Sequence, residues 1–458
     1  MPRRADLRAL VVLAAPVVTV QVGLMLMGVV DSIMVGAISA AALAGAALGN
    51  VWFFAVTVFG MGVIMAIDPL VTQALGARDE PAVRRAVQRS IVLAAVLTVP
   101  ASLLMALTGP VLAALGQPAE VVPIAAGYVV REIPSVFAFY GFIVFRQTLQ
   151  GMERFAPIVW VTAIANLANV AMNAVLIHGY LGFPALGVNG SAWATTIARW
   201  LMFGLLLALA RRELVPTLRP WLRESLSLRP LGRMIAIGAP IGVHMQLEFS
   251  VFGVVGLLMG RLGTEAVAAH QIALNLASLT FMVPLGVSAA GTILVGRAVG
   301  EGRPDEARRA VAAALAVGVG FMALTALVFL GAPGLLATVY TDDRAVLALA
   351  MVLIPLAGVF QVFDGLQVVS AGVLRGVADT RVPMIIGLVG FWLVGLPISL
   401  ALAFWQGLGP TGLWWGLVAG LAAVSLALVV RVRVRFGGEL TRVLVDLPPQ
   451  QGLGEHAG

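Results

Sequence analysis

The chain has 458 residues, 60% of them hydrophobic and only 11% charged, with a mean hydropathy of +1.01 and a formal net charge of +7. Soluble domains carry about 25% charged residues, so a water-soluble globular protein is excluded and the expected solvent is the lipid bilayer. There is no cysteine, which removes disulfides, iron–sulfur clusters and thiolate zinc sites, and all 29 basic residues are arginine, which removes a lysine-bearing P-loop.

Apolar runs able to cross about 30 Å of hydrocarbon recur about twelve times, at roughly 7–37, 45–75, 84–108, 120–148, 155–178, 186–211, 231–260, 265–298, 304–330, 342–373, 380–406 and 410–435. They are apolar all round and rich in small residues, which fits helices and not alternating barrel strands. The expected fold class is therefore an all-α integral membrane protein. The first run is too long for a signal peptide and reads as a retained helix. It contains Pro16, a possible hinge, and, in "GVVDSIMVG", Asp31, which has no charged neighbour on its own helix. A carboxylate there is costly and marks a candidate ion site. The second run ends at "AIDPL", where Asp68 can cap the helix or pair with an arginine. In the fourth, "VVREIPS" sets Glu132 beside Arg131, and a structural ion pair between these two is expected. The fifth carries Asn166, Asn169 and Asn173 at i, i+3, i+7, one helical face. Arg131 and Arg199 fall inside runs with no assigned orientation. The seventh run holds Pro240, a second hinge candidate, then His244 one turn before Glu248. The eighth holds Gln271, Asn275 and Ser278 on one face beside His270, and the tenth holds Asp364 with Gln361 and Gln367 three residues to either side. Asp31, Glu248 and Asp364 are the deep acids. Amides facing them can replace the hydration shell of a proton carrier or Na⁺. Met and Phe residues, 17 and 20 in number, can line an adaptable pocket.

The two halves match at an offset of 224 residues: Pro16 with Pro240, Gly36 with Gly260, Gly62 with Gly286, Gly76 with Gly300, and "RRA" at Arg84 with "RRA" at Arg308. Six spans per repeat is an even number, so both halves cross in the same sense and a pseudo-two-fold axis runs along the membrane normal, as in transporters that rock one bundle against the other. The expected division is 1–215 for the first lobe, 216–440 for the second with the linker, and 441–458 for a disordered cytoplasmic tail. Assigned by loop, 25 of the 29 arginines fall on one side, Arg146 between the fourth and fifth runs and Arg375 after the tenth among them, which puts that side and both termini in the cytoplasm.

On these residues the chain resembles the multidrug and toxic compound extrusion (MATE) family, in its NorM-like branch. The strongest stretches are "LMGVVDSIMVG", "GTEAVAAHQIALNLASLTFMVPLGVSAAGTILVGRAVGEG" and "DGLQVVSAGVLRGVADTRVP". The resemblance implies two six-helix lobes in a V, and export of amphipathic, often cationic, drugs against inward Na⁺ or H⁺. It implies ion coupling at Asp31, Asn169, Asn173, Thr195, Glu248 and Asp364, with Na⁺ possible at Asp31, Asn169 and Asn173. Glu248 and Asp364 match the acids that set the NorM-like branch apart from the DinF-like one. His270, in the family's "AAHQ" segment, is given a structural role. Substrate contacts are expected at Glu248, Asp364, Gln271, Asn275 and Gln361.

The expected function is thus secondary drug/cation antiport by a monomer in a bacterial-type inner membrane, with no cofactor, no nucleic-acid partner and no enzymatic activity. A flippase for lipid-linked oligosaccharides is the alternative, and it would want a basic cavity. An intramembrane enzyme is disfavoured, since no HExxH or GxSxG motif and no carboxylate pair spaced as a protease dyad occurs. The arginine asymmetry places the Leu186–Gly190 loop outside, so a single cysteine at Asn189 should react with an impermeant maleimide on intact cells and one at Thr217 should not. The reverse pattern would invert the topology.

Overall fold

The computed structural model describes residues 2–446. Among the described residues, twelve helices are long and apolar enough to cross a membrane: α1 (Arg4–Gly36), α2 (Ala40–Gly76), α3 (Glu80–Ala106), α4 (Val122–Gly151), α5 (Ala156–His178), α6 (Val188–Leu209), α7 (Leu228–Leu262), α8 (Thr264–Gly300), α9 (Pro304–Gly331), α10 (Arg344–Gly376), α11 (Arg381–Trp405) and α12 (Gly409–Gly437). Polar caps set several of the ends. Ser39 accepts from the Ala42 N–H before α2, and Asp343 accepts from Ala345 and Val346 at the start of α10. Gly179 closes α5 in the left-handed region at φ 78°. Three spans depart from regular α-helix: α2 turns at Met65–Ala66, α4 passes through a 3₁₀ turn at Ile133–Ser135, which contains Pro134, and α11 passes through π-helical stretches at Leu388–Gly395 and Ala401–Trp405. Pro16 and Pro240 lie inside continuous helices.

Helices α1–α6 and α7–α12 form two bundles, each with its own core. The first helix of each repeat crosses over: Leu10 and Ala14 of α1 sit in the second lobe's core, and Leu231 and Met234 of α7 sit in the first lobe's core. The lobes meet along a seam of glycines. A Cβ at Gly62 would collide with the Gly242 backbone, and one at Gly286 would collide with Val18. A Cβ at Gly76 would strike the Arg297 carbonyl, and one at Gly300 would strike the Gln73 carbonyl. These are two pairs of equivalent contacts, since adding 224 to 62, 18, 76 and 73 gives 286, 242, 300 and 297. The offset read from sequence is therefore a true spatial symmetry. All four contacts lie in the halves of the helices nearest the arginine-rich loops, so the molecule is shut at that end and splayed at the other.

Polar bonds reinforce the closed end. Gln73 Nε2 donates to the Gly376 carbonyl (2.9 Å), Arg375 Nε pairs with Asp68 (3.2 Å), and Arg297 pairs with Glu153. Asp68 thus has the arginine expected for it, supplied by the opposite lobe. The inter-lobe connector is held by one buried side chain, Gln88. Its Nε2 donates to the carbonyls of Thr217, Leu218 and Pro220, and its Oε1 accepts from the Leu222 N–H and Ser225 Oγ. Thr217 itself is buried, so Ser227, exposed in the same connector, is the better site for a topology reporter.

The chain beyond α12 corrects the expectation of a disordered tail from residue 441. Residues 441–446 form a strap back to the first lobe, while 447–458 lie outside the described residues. Arg442 pairs with Asp79 (2.7 Å), the Val443 N–H donates to Gln73 Oε1 (2.8 Å), and Asp446 pairs with Arg89 (2.6 Å) and Arg85 (2.9 Å). Burial acts to raise the Asp79 carboxyl, but the Arg442 bond, the Ala82 N–H and the charges of Arg442 and Arg85 outweigh it and hold the group below the usual carboxylate range. Asp446 behaves alike: burial opposes, and Arg89 and Arg85 prevail. Both carboxyls titrate lower docked than free, so they stabilise docking fully above the free value of about 4 and lose that effect as pH falls through the docked values. A spin label at the exposed Leu444 should therefore gain mobility as pH drops below about 4, and should be mobile at pH 7 in Asp446→Asn; unchanged spectra in both would show that these bonds do not hold the strap.

Candidate functional site

The splayed lobes enclose a cavity of about 680 Å³ whose wall is largely apolar, with seven methionines and five phenylalanines facing it. That size and lining suit a drug-sized ligand, and unbranched Met side chains can repack around different shapes.

Helices α1, α2, α4 and α6 line its first-lobe wall, and α5 backs α1 from behind. Helices α1 and α5 run in the same direction and pack closely. Gly23 leaves room for Thr162, and Asn166 Nδ2 donates to the Gly23 carbonyl at 3.1 Å. Seven residues on, the same face of α5 brings Asn173 to Asp31, whose Oδ1 accepts from Asn173 Nδ2 at 2.5 Å. Asn173 Nδ2 also reaches Asn169 Oδ1 at 3.1 Å, and α6 supplies Thr195 Oγ1, which donates to Asp31 Oδ2 at 3.1 Å. Asp31 is 5% exposed and has no ion pair among the described residues. Asn173 Oδ1 and Asn169 Nδ2 are buried with no hydrogen-bond partner among those residues. The predicted group Asp31, Asn169, Asn173 and Thr195 is thus a single cluster. It offers carboxylate, amide and hydroxyl oxygens, a donor set that suits a hard monovalent cation or a proton.

Beside it lies a second pair. Glu132, fully buried, pairs with Arg199 at 3.2 Å, and Arg199 also donates to Ser135 Oγ (2.9 Å) and lies 3.8 Å from the centre of the Phe53 ring. This corrects the expected Glu132–Arg131 pair. Arg131 turns back along its own helix to the Gly127 carbonyl (2.7 Å), because adjacent helical residues point about 100° apart and cannot face one another.

In the second lobe, Glu248 faces the cavity and accepts from Gln367 Nε2 at 3.3 Å. Asp364, one turn from Gln367, is buried behind that wall and interacts electrostatically with Glu248, but does not line the cavity. His244 does line it. His270 packs edge-on against Trp414 in the second-lobe core. Asp364 is therefore not the substrate contact expected of it, and three more expected contacts also lie outside the cavity lining. Gln361 is fully buried inside the lobe and accepts from Thr280 Oγ1 (2.7 Å). Gln271 and Asn275 are exposed and outside the cavity lining. They lie 11 and 7 residues before Met282, which does line it, so they share its helical face nearer the open end.

Two cavity residues went unrecognised in the sequence. Arg146 and Arg375, read as loop arginines, lie within α4 and α10 and face the cavity. The sequence carried a signal for Arg146 alone, which falls inside the run 120–148, whereas Arg375 lies just past the run 342–373.

A twelve-span, two-lobed helical membrane protein with a polar-studded cavity between its lobes defines a transporter fold. The MatE family profile matches twice, over residues 16–175 and 240–400. The chain therefore belongs to the MatE family, the multidrug and toxic compound extrusion transporters. It is 38% identical to a probable multidrug resistance protein NorM of Rhizobium meliloti over 433 residues, 92% of each chain. It is 35% identical to the multidrug resistance protein PmpM of Pseudomonas aeruginosa, covering 94% of this chain and 91% of the other. The structure superimposes on the eukaryotic MATE transporter AtDTX14 with a TM-score of 0.85 at 22% identity, covering 94% and 99% of the two chains. It superimposes on the Vibrio cholerae MATE transporter VcmN in its bent form with a TM-score of 0.83 at 19% identity, covering 94% and 97%.

Arg199 is the counter-charge of a carboxylate with no exposure. Arg199→Ala should destabilise the protein by about 3–5 kcal/mol by stranding Glu132, and adding Glu132→Gln should recover most of that loss. Denaturant unfolding in detergent checks this, and a double variant no more stable than the single one would show that the pair is not the cause.

Proposed function

We propose that this protein exports amphipathic compounds, cationic ones foremost, in exchange for inward H⁺ or Na⁺. It would do so by alternating access between lobes 1–215 and 216–440, as a monomer in a bacterial-type inner membrane with both termini cytoplasmic. The observation that carries this reading is Asp31: a carboxylate in the cavity wall, hydrogen-bonded only by neutral groups and in no ion pair among the described residues, the neighbouring Arg199 being committed to Glu132. In that orientation the present state opens outward, since the glycine seam closes the arginine-rich end.

Asp31 can take either charge state through one amide flip. As a carboxylate it accepts from Asn173 Nδ2. Protonated, it can donate to Asn173 Oδ1, which has no other partner. Na⁺ would instead be shared by Asp31, Asn169 and Asn173 oxygens, with Thr195. Either ion removes the negative charge from the first-lobe wall and with it part of the attraction for a bound cation. Glu248 holds the drug's cationic centre from the second lobe, with Asp364 behind it. Gln271 and Asn275, exposed outside the cavity lining, meet the drug only near the mouth. Bending of α1 and α7 at Pro16 and Pro240 lets the wall repack. Antiport requires ion and drug to favour opposite states; equal preference would couple nothing.

The arginines in the cavity favour the flippase alternative, but Arg199 and Arg375 are neutralised by Glu132 and Asp68, leaving too little net positive charge for a pyrophosphate-linked sugar. Accumulation of such a lipid on the inner leaflet on gene loss, with no change in drug resistance, would favour the flippase.

Asp31→Asn fixes a neutral side chain of the same size. In proteoliposomes with imposed proton or sodium gradients it should insert normally yet lose gradient-driven efflux of an ethidium-like cation. Full efflux would reduce Asp31 to a packing residue and move coupling to Glu248 and Asp364.

A further inference from the structure

Three arginines face the cavity, and two have an acid. Arg199 has Glu132 and Arg375 has Asp68. Arg146 has no ion pair among the described residues. Its guanidinium makes one long hydrogen bond, from Nη1 to Gln21 Oε1 at 3.3 Å, and its Nε is sealed from solvent with no partner. Asp68 acts on it electrostatically but makes no direct bond to it, its two oxygens being engaged by Arg375 and by Gln147 Nε2 at 2.7 Å. The aromatic neighbour, Phe142, has its ring centre 5.9 Å away. A guanidinium carries five donors in a planar fork, and most of this fork is unspent.

While the cavity holds water, water can satisfy that fork. A substrate that fills the cavity expels the water, and an unpaired guanidinium left among Met and Phe side chains is strongly disfavoured. A neutral or purely cationic amphiphile would leave it so. A carboxylate would meet it with two parallel charge-assisted bonds. The same cavity presents Glu248 and Asp31, so one ligand can be met by opposite charges at two places.

We propose that Arg146 is the anion-binding element of the cavity, and that the preferred substrates are zwitterionic amphiphiles whose carboxylate is held by Arg146 while their cationic centre faces Glu248 or Asp31. This rests on the efflux reading and narrows its substrate class. It also assigns Arg146 a specificity role that does not require a part in ion coupling.

A matched pair of dyes tests it. Rhodamine B and its ethyl ester share one cationic ring system and differ in a free carboxylate. Binding to the full-length protein in phosphatidylcholine nanodiscs can be read by fluorescence anisotropy. The unsubstituted protein should bind rhodamine B at least about tenfold more tightly than the ester, the scale of one hydrogen bond to a charged group. Arg146→Gln should remove that preference by weakening rhodamine B while the ester binds as well as before or more tightly, the stranded guanidinium being gone, and Arg146→Lys should restore part of the preference. Equal weakening of both dyes would make Arg146 a structural residue and overturn the proposal, as would no change in either. Phosphatidylglycerol that weakens rhodamine B binding to the unsubstituted protein, but not to Arg146→Gln, would assign the site to a lipid headgroup and also overturn it. Binding of neither dye to the unsubstituted protein would sink the efflux reading itself, and this inference with it.

Discussion

Backbone contact between the lobes is the constraint on which the rest of the molecule depends. Helices can approach this closely only where no side chain intervenes, and the sequence places Gly62, Gly76, Gly286 and Gly300 where a Cβ would strike the opposite lobe. Because these contacts gather in one half of the membrane, the bundles must diverge in the other, and the cavity is the space that divergence leaves. Pseudo-symmetry makes the seam balanced: each contact from the first lobe into the second has a counterpart running the other way. Such a seam holds by fit, without a long polar network, and that suits an interface meant to part.

The charges do not follow this symmetry. At the offset of 224, Asp31 corresponds to Val255 and Glu248 to Leu24. The repeat therefore fixes the scaffold, while each lobe carries its own polar chemistry. The first lobe surrounds a lone carboxylate with amides and a hydroxyl and sets a closed ion pair, Glu132–Arg199, beside it. The second places one acid on the wall and another behind it. In an apolar solvent, where every unpaired charge is costly, the unpaired groups Asp31 and Arg146 stand out against their paired neighbours.

Much of this was legible in the sequence. The spans follow from hydropathy, because lipid tolerates few long polar stretches. The repeat follows from order and spacing, and the Asp31 cluster from an asparagine face at helical period together with a family resemblance. What was not legible depends on which helices touch. The partner of Glu132 lies on α6, more than sixty residues away, and no local pattern points to it. Arg146 and Arg375 were misread because the helices run on past the apolar core, so an arginine near a loop can still face inward. Gln271 and Asn275 share a face with cavity residues, but the splay of the lobes puts that part of the face outside the enclosed space. The ordered strap after α12 escaped notice because its bonds go to Gln73, Asp79, Arg85 and Arg89, some 360 residues away in sequence.

The strap also sets a length. Helix α12 ends at Gly437, and the chain is next anchored at Arg442 on the opposite lobe. Five residues, fully extended, reach about 18 Å. While the strap stays docked, the end of α12 and the Arg442 backbone, pinned against the first lobe, cannot move further apart than that, whatever the helices above them do. The chain therefore carries a built-in stop on how wide its arginine-rich end can gape: a tether that goes taut at a fixed distance, set by residue count and not by the strength of the seam.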